Sequence, residues 1–308
     1  MSILEQASAS SRFNLWIQAA RPRTLTISIA PILAAAAHAW SASGRLAWAP
    51  VFAALIASIA IQIATNLFND AADGLRGHDG PARLGPPRVT ALGLIPARDV
   101  MRAAFVMVGL AALAGVAAVV YGGWPILAIG LLSLVAGWSY SNGPLPISAT
   151  PLGEIFVVLF FGIAAVSGTA YLASPGAVSG QTLLLGLALG LPAAATLTVN
   201  NHRDRVEDAR NGRRTLAILV GERGAGALYA GLLFGCVALV AWLALDAAGP
   251  WAALAACAGF VPAAALVRLF QRTPIGRDLN RLLARTAMFQ LLIAALYAVI
   301  VVAARLSA

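Results

Sequence analysis

The segment VFAALIASIAIQIATNLFNDAADGLRGHD, residues 51–79, joins two kinds of sequence. Its first part, from Val51 to Ile63, carries no charged residue. Its last ten positions then contain Asp70, Asp73 and Asp79. A long apolar run predicts a helix that crosses a membrane. The carboxylates at its end are unusual in a chain that otherwise avoids charge, so they are the first candidates for a functional site.

The whole chain has the composition of a membrane protein. Of its 308 residues, 60% are hydrophobic and 11% are charged, whereas soluble globular proteins carry roughly 25% charged residues. Apolar runs close to the ~20 residues that span a bilayer core recur along its length. The predicted spans are about 24–41, 47–69, 98–121, 124–141, 152–173, 179–200, 223–245, 250–269 and 283–304. We therefore predict an all-α polytopic membrane protein of about nine transmembrane helices.

The basic charge of the chain follows membrane topology. All 21 basic residues are arginines, and the net charge is +9. If the N-terminus is cytoplasmic, only Arg45 and Arg305 fall on the outer side of the membrane. Such a bias is the positive-inside rule. It predicts an integral protein of the cell inner membrane with its acidic motifs on the cytoplasmic side, and it leaves nucleic-acid binding without support.

A second acidic group follows the sixth predicted span, in the stretch TVNNHRDRVEDARNGRRT at 198–215. Asp204 and Asp208 are four positions apart, and Asp70 and Asp73 are three apart, so each pair shares one face of a helix. Like charges placed in this way repel unless a positive group lies between them. Each group could be a solvated helix end paired with local arginines, or it could bind a divalent cation.

The two acidic groups look like duplicates of one another. Both begin with asparagine, both end an apolar span on the same predicted side, and both lead into an arginine-rich loop with glycine. About four spans separate them. We therefore predict one domain, residues 1–308, with pseudo-repeated four-helix halves at about 15–145 and 150–270 and a final helix. Membrane proteins built from repeats commonly place their site between the halves.

Two carboxylate faces that converge on one cavity suit Mg²⁺ together with a diphosphate. Magnesium prefers oxygen ligands and is usually held by a few carboxylates plus substrate phosphates, and arginines bind the remaining phosphate oxygens. The spacings of an EF-hand and of a P-loop are absent from the sequence. The three histidines, His38, His78 and His202, are too far apart in sequence to suggest a zinc site.

These motifs carry a resemblance to a known family. NDAAD at 69–73 and DRVED at 204–208 are similar to the N-D-x-x-D and D-x-x-x-D motifs of the UbiA superfamily of intramembrane prenyltransferases. Many members have a further Asp four residues after the first motif, where this chain has Gly77 and then Asp79. This pattern, with AARPRTL at 19–25 and PLGEIFVVLFFG at 151–162, most resembles the 1,4-dihydroxy-2-naphthoate polyprenyltransferase (MenA) branch.

The resemblance implies an activity and a set of site residues. The chain would transfer a polyprenyl group from polyprenyl diphosphate to 1,4-dihydroxy-2-naphthoate, with Mg²⁺ as cofactor and loss of CO₂, in menaquinone biosynthesis. The expected metal ligands are Asn69, Asp70, Asp73, Asp204 and Asp208, the four aspartates being the catalytic residues. The expected substrate contacts are Arg23, Arg83, Arg88, Arg203, Arg213, Tyr140 and Asn201. Asp79 would be a ligand or orient a loop arginine, and Glu154 would orient a cavity arginine.

Two alternatives stay open from the sequence. The aromatic acceptor could be a hydroxybenzoate or another phenolic acid, because close relatives within the superfamily differ in this respect. A secondary transporter with inverted repeats would also have duplicated halves and charged residues near a cavity. Transporters usually keep their ionisable groups near the bilayer midplane, whereas the acids of this chain lie at the ends of predicted spans.

Overall fold

The protein is described by a computed structural model that covers residues 11–76, 83–174 and 178–307. All regular secondary structure within these ranges is helical. The main helices are α1 (Arg12–Ala20), α2 (Thr26–Ser43), α3 (Trp48–Arg76), α4 (Ala97–Ser139), α5 (Gly153–Ala173), α6 (Gly180–Arg210), α7 (Leu216–Ala248), α8 (Pro250–Cys257), α9 (Phe260–Arg272) and α10 (Leu279–Ser307). The predicted all-α class is confirmed.

The predicted number of nine membrane spans is not confirmed. In the described part of the chain, seven helices are long and apolar enough to cross a membrane, α8 and α9 together counting as one. An eighth is added if α1 and α2, which are bent by 47°, form one span. A multi-pass membrane protein is therefore confirmed, but the count of nine is not. The count depends on how residues 98–121 and 124–141 are treated, because these two predicted spans lie within the single interrupted element α4.

Helix α4 is interrupted at Gly123. The backbone there has φ +65° and ψ −152°, which is far from helical and is favoured by glycine because it lacks a Cβ atom. Pro125 follows, and a proline cannot donate a backbone hydrogen bond to the preceding turn. The GWP sequence at 123–125 therefore explains why a helical element 43 residues long changes direction in its middle.

The first arm of α4 runs along α3 in one direction, and the second arm returns in the opposite direction. Val100, near the start of α4, packs in one apolar cluster with Phe68 of α3. Ala118, close to the interruption, packs in another cluster with Ala53, which lies near the opposite end of α3. The segment after α4 then accepts a hydrogen bond of 3.1 Å from Arg76, the last residue of α3. The chain thus returns to the end of α3 that carries the acidic motif.

The second half of the chain is packed most closely between α5 and α6. Helix α5 contains a π-helical stretch, Leu159–Ala164, and two glycines of α6 face this region. A Cβ atom at Gly186 would lie 2.8 Å from the Cα of Ile163, and one at Gly190 would lie 2.9 Å from the Cα of Val158. Such distances are too short for real Cβ atoms, so the backbones approach each other only because both residues are glycine.

The acidic motifs lie inside their helices. The predicted spans 47–69 and 179–200 stop before the aspartates, but α3 continues to Arg76 and α6 to Arg210. Each pair of aspartates therefore occupies the last turns of a long helix, where the shared helical face expected from their spacing is realised. The segments that follow these helices supply Arg83, Arg88 and Arg213.

Candidate active site

The two acidic motifs meet at one arginine. Arg213 contacts Asp73 of α3 through Nη2 at 2.7 Å and Asp208 of α6 through Nη1 at 3.2 Å. Both carboxylates are largely buried. Because the two Nη atoms of the rigid guanidinium bind different carboxylates, Arg213 bridges the two side chains and fixes their relative position. The structure thus brings together side chains that are far apart in sequence, and their mutual repulsion is relieved by a cation between them.

Arg88 adds a second positive charge next to Asp73. Its Nη2 lies 2.5 Å from Asp73 Oδ2, and its Nη1 donates to Asn69 Oδ1 at 2.6 Å. The same Nη1 also donates to the backbone carbonyl of Asn69. Arg88 is 5% exposed, so this charge is shielded from water and its interaction with the carboxylate is strengthened.

Asp70 has a different environment from Asp73. Its carboxylate accepts hydrogen bonds from the backbone N–H of Val89 at 3.3 Å, and from the N–H and the hydroxyl of Thr90 at 3.1 Å and 2.6 Å. The carboxylate therefore orders the turn that follows Arg88. In this structure Asp70 does not line the polar chamber described below, although it is adjacent in sequence to Asn69, which does.

Asp204 is held by its neighbour Arg203. The guanidinium donates to Asp204 through Nε at 2.8 Å and Nη2 at 2.6 Å, and it also binds Asn200 at 2.9 Å and Asn280 at 2.6 Å. Arg203 is 1% exposed. Asn280 in turn donates to the carbonyl of Leu84 at 2.9 Å. Arg203 thus connects α6, α10 and the loop after α3, and its donors are largely occupied by protein.

Asn201 and Glu154 form a buried pair. Asn201 Nδ2 donates to Glu154 Oε1 at 3.0 Å, while Glu154 Oε2 has no hydrogen-bond partner among the described residues. Glu154 lies in the first turn of α5, as predicted, but it holds an asparagine instead of the expected cavity arginine. Tyr140 lies near Glu154, and burial, aided by this acid, raises the pKa of the phenol well above its usual value, so it is neutral at physiological pH.

Two chambers meet at these residues. A polar chamber of about 40 Å³ is lined by most of the predicted site residues, among them Asp73, Asp204 and Asp208. An apolar cavity of about 720 Å³ extends from it among α2, α3, α4 and α5. The residues that line both chambers are Arg21, Asn69, Tyr140, Leu197 and Asn200. A ligand with a charged head and a hydrocarbon tail could therefore occupy both chambers at once.

The loop arginines are distributed unequally between the chambers. Arg83 lines the polar chamber and donates through Nε to the carbonyl of Pro86 at 3.1 Å. Arg23 is exposed and borders the apolar cavity instead. Arg21, which sequence reasoning did not select, lines both chambers from a left-handed backbone with φ +54°. In the sequence, Pro22 indicates a break in helical structure at Arg21, because the residue before a proline is disfavoured in a helix.

Oxygen donors suitable for Mg²⁺ are present at the junction of the motifs. In residues 11–76, 83–174 and 178–307, no three His, Cys, Asp or Glu side chains converge as a preformed metal site. Asp73 and Asp208 nevertheless face one shared cation, Arg213. Two carboxylates plus phosphate oxygens are the usual ligand set of Mg²⁺, so these residues fit the ion. Asp79, the remaining predicted candidate, lies outside the described residues.

Comparison with known proteins identifies the family. The model of the UbiA prenyltransferase family matches residues 28–293. The chain is 37% identical over 241 residues to the 1,4-dihydroxy-2-naphthoate octaprenyltransferase of Mycobacterium tuberculosis, covering 78% of this chain and 80% of the relative. It is 35% identical over 250 residues to the protein of the same name from Escherichia coli, with the same coverage of both chains.

Solved structures share the fold. A UbiA homologue from Aeropyrum pernix superimposes with a TM-score of 0.67 at 19% identity, covering 90% of this chain and 97% of the homologue. A UbiA homologue from Archaeoglobus fulgidus, bound to DMAPP and Mg²⁺, gives 0.67 at 16% identity, covering 93% and 99%. The resemblance based on the two acidic motifs is confirmed: the chain is a membrane enzyme that belongs to the UbiA prenyltransferase family.

Proposed function

We propose that this enzyme transfers a polyprenyl group from polyprenyl diphosphate to 1,4-dihydroxy-2-naphthoate, with loss of the ring carboxylate as CO₂, in menaquinone biosynthesis. The observation that carries the proposal is the ion-pair bridge Asp73–Arg213–Asp208 in the polar chamber that adjoins the large apolar cavity. The choice of acceptor is supported by the names of the relatives from Mycobacterium tuberculosis and Escherichia coli.

The two chambers suit the two parts of the donor. The diphosphate carries several negative charges and matches the polar chamber in charge, because Arg83, Arg88 and Arg213 line the chamber and can donate to phosphate oxygens. The polyprenyl tail is as apolar as lipid and fits the adjoining cavity. The bond between them would then lie beside the shared lining residues. Tyr140 and Asn200 would contact the donor at this point.

Magnesium is part of this proposal, on the donor chemistry of the site. Asp73 and Asp208 would hold it, with Asp204 and Asn69 as further oxygen donors of the polar chamber. When bound, the ion stabilises negative charge on the leaving diphosphate. Asp70 would contribute less directly, because its carboxylate orders the turn that carries Arg88 and Thr90.

The residues would promote breakage of the allylic C–O bond. Arg88 and Arg213 are fixed by carboxylates before substrate binds, so they can stabilise the electron pair that passes to the diphosphate without large rearrangement. The ring carbon of the acceptor forms the new C–C bond with the cation-like prenyl carbon. Loss of CO₂ from the ring then restores its aromatic system. The apolar cavity excludes water, which would otherwise capture the prenyl cation.

The proposal is tested by a transfer assay on the detergent-purified enzyme. With a polyprenyl diphosphate, 1,4-dihydroxy-2-naphthoate and Mg²⁺, we expect diphosphate release and a product mass of the prenylated, decarboxylated ring, and chelation of Mg²⁺ should stop both. A product formed only from 4-hydroxybenzoate would instead assign the ubiquinone-type acceptor. No diphosphate release with any phenolic acceptor would overturn prenyl transfer to an aromatic ring.

The proposed site is tested with two matched variants, Asp73→Asn and Asp208→Asn. Each variant removes a negative charge that Arg213 contacts, and we expect kcat/KM to fall by about 100-fold or more, the usual effect of losing one preorganised electrostatic group. The control is Asp99→Asn, because the Asp99 side chain is partly exposed and its ion pairs with Arg98 and Arg102 are long, at 3.9 Å and 3.4 Å. Wild-type activity in Asp73→Asn would remove Asp73 from the proposed catalytic residues.

A further inference from the structure

We propose that Gln62 forms a hydrogen bond with a ring hydroxyl of the aromatic acceptor and so helps to select it. The inference rests on the proposed prenyl transfer and concerns a residue outside both acidic motifs. Gln62 lies on α3 and lines the apolar cavity. It is 8% exposed, and its amide oxygen has no hydrogen-bond partner within the described residues.

The other polar side chains on this face of α3 are already paired. Ser58 donates to the carbonyl of Ser28 at 3.2 Å, and Thr65 donates to the carbonyl of Ile61 at 2.9 Å. Asn66 donates to the carbonyl of Ala20 at 2.9 Å, and Asn69 accepts from Arg88 at 2.6 Å. Among these five polar residues that line the cavity, Gln62 is therefore the one whose buried side-chain oxygen has no hydrogen-bond partner within the described residues.

An amide without a hydrogen-bond partner is energetically unfavourable inside this apolar cavity. Within an apolar cavity of a membrane protein, a buried polar group with no partner destabilises the fold unless a ligand or water satisfies it. The two ends of an amide are interchangeable in assignment, and together they offer one acceptor and two donors. The residue can therefore bind a hydroxyl group either as donor or as acceptor.

The chemistry of the two substrates decides which of them Gln62 can recognise. The polyprenyl tail is a hydrocarbon and offers no hydrogen-bonding group. The acceptor carries hydroxyls at opposite positions of its ring. Gln62 lies seven positions before Asn69, about 10 Å along the helix, on the same face. One hydroxyl can thus stay near the polar chamber while the other extends toward Gln62.

The test compares Gln62→Leu with wild-type enzyme. We expect the KM for 1,4-dihydroxy-2-naphthoate to rise by about three- to tenfold, the usual effect of one neutral hydrogen bond, with the KM for polyprenyl diphosphate unchanged. Wild-type enzyme should bind 1-hydroxy-2-naphthoate, measured as a competitive inhibitor, more weakly than the dihydroxy acid, whereas Gln62→Leu should bind the two acids about equally.

Thr65→Val is the matched control, because its hydroxyl is satisfied by its own helix, and it should keep the wild-type discrimination. Thermal unfolding in detergent should show that Gln62→Leu is folded and at least as stable as wild type, since an unpaired amide has been removed. Unchanged acceptor KM and unchanged discrimination would overturn the inference, as would an increase in the KM for polyprenyl diphosphate alone. Failure of wild-type enzyme to prenylate any phenol would instead overturn the proposed function.

Discussion

Individual residues of the site were predictable from the sequence to different degrees. The spacing of Asp70 and Asp73, and of Asp204 and Asp208, correctly placed each pair on one helical face. The sequence also indicated that a positive group must lie between like charges. It did not indicate that Arg213 would contact aspartates of both motifs, because that contact depends on how α3 and α6 pack.

Other contacts of the site had no signal in the sequence. Asn280 lies among charged residues in RDLNR at 277–281, where a polar side chain is expected in any case, yet it binds Arg203 at 2.6 Å. Thr90 lies in a connecting segment whose path is set by tertiary structure, yet it contacts Asp70 at 2.6 Å. Gln62 looks like one polar residue in an apolar run. Only the three-dimensional arrangement separates such residues from ordinary surface positions.

At the residue scale we predict that Asp70 contributes to stability by ordering the turn that follows Arg88. Asp70→Ala would leave the N–H groups of Val89 and Thr90 without this acceptor, whereas the Thr90 hydroxyl would keep its bond to the backbone carbonyl of residue 70. Unsatisfied buried groups cost about 1–3 kcal/mol each, so the thermal midpoint in detergent should fall clearly. Asp70→Asn keeps an acceptor oxygen and should lose less stability. A melting curve of Asp70→Ala equal to that of wild type would contradict this assignment.

At the scale of helices, apolar runs predicted where the elements lie, and local backbone chemistry decided how they break. The runs at 98–121 and 124–141 were correctly recognised as helical, and their junction lies at Gly123. Helix α7 has a similar interruption at Gly221, with φ +70°. The π-helical stretch in α5 had no comparable signal, because it depends on the close approach of α6.

The contact between α5 and α6 gives a prediction for that element pair. Gly186→Ala would place a methyl group 2.8 Å from the backbone of Ile163, and overpacking of this kind typically costs about 1–3 kcal/mol. We expect a lower thermal midpoint and reduced activity, because α6 carries the second motif. Gly231→Ala is the control, since no atom lies within 4 Å of a Cβ there. Equal melting of the two variants would show that the packing tolerates a methyl group.

At the scale of the whole molecule, the amino-acid composition was enough to predict the class of protein. The scarcity of charge predicted a multi-pass membrane protein, and the paired motifs indicated the family. The number of spans was less secure, because an interrupted helix and a bent pair can each be counted in two ways. The pseudo-repeated halves and the cytoplasmic position of the site stay predictions that follow from motif spacing and from the distribution of arginine.

The orientation in the membrane is tested by cysteine labelling. In a Cys257→Ala background, Arg45→Cys should react with a membrane-impermeant maleimide in right-side-out spheroplasts, whereas Arg98→Cys should react only after permeabilisation. Both native side chains are exposed at opposite ends of the molecule, and the positive-inside rule places arginine-rich segments in the cytoplasm. The reverse labelling pattern would place the acidic motifs on the outer face.

The lining residues shared by the two chambers bear on how products separate. If the bond that breaks lies at that boundary, the water-soluble diphosphate forms on the side of the loops. The prenylated, lipid-soluble product then forms on the side of the bilayer. The diphosphate therefore does not have to cross lipid, and the prenylated product does not have to cross water. The two products would therefore leave the enzyme in different directions, one into water and the other into the bilayer.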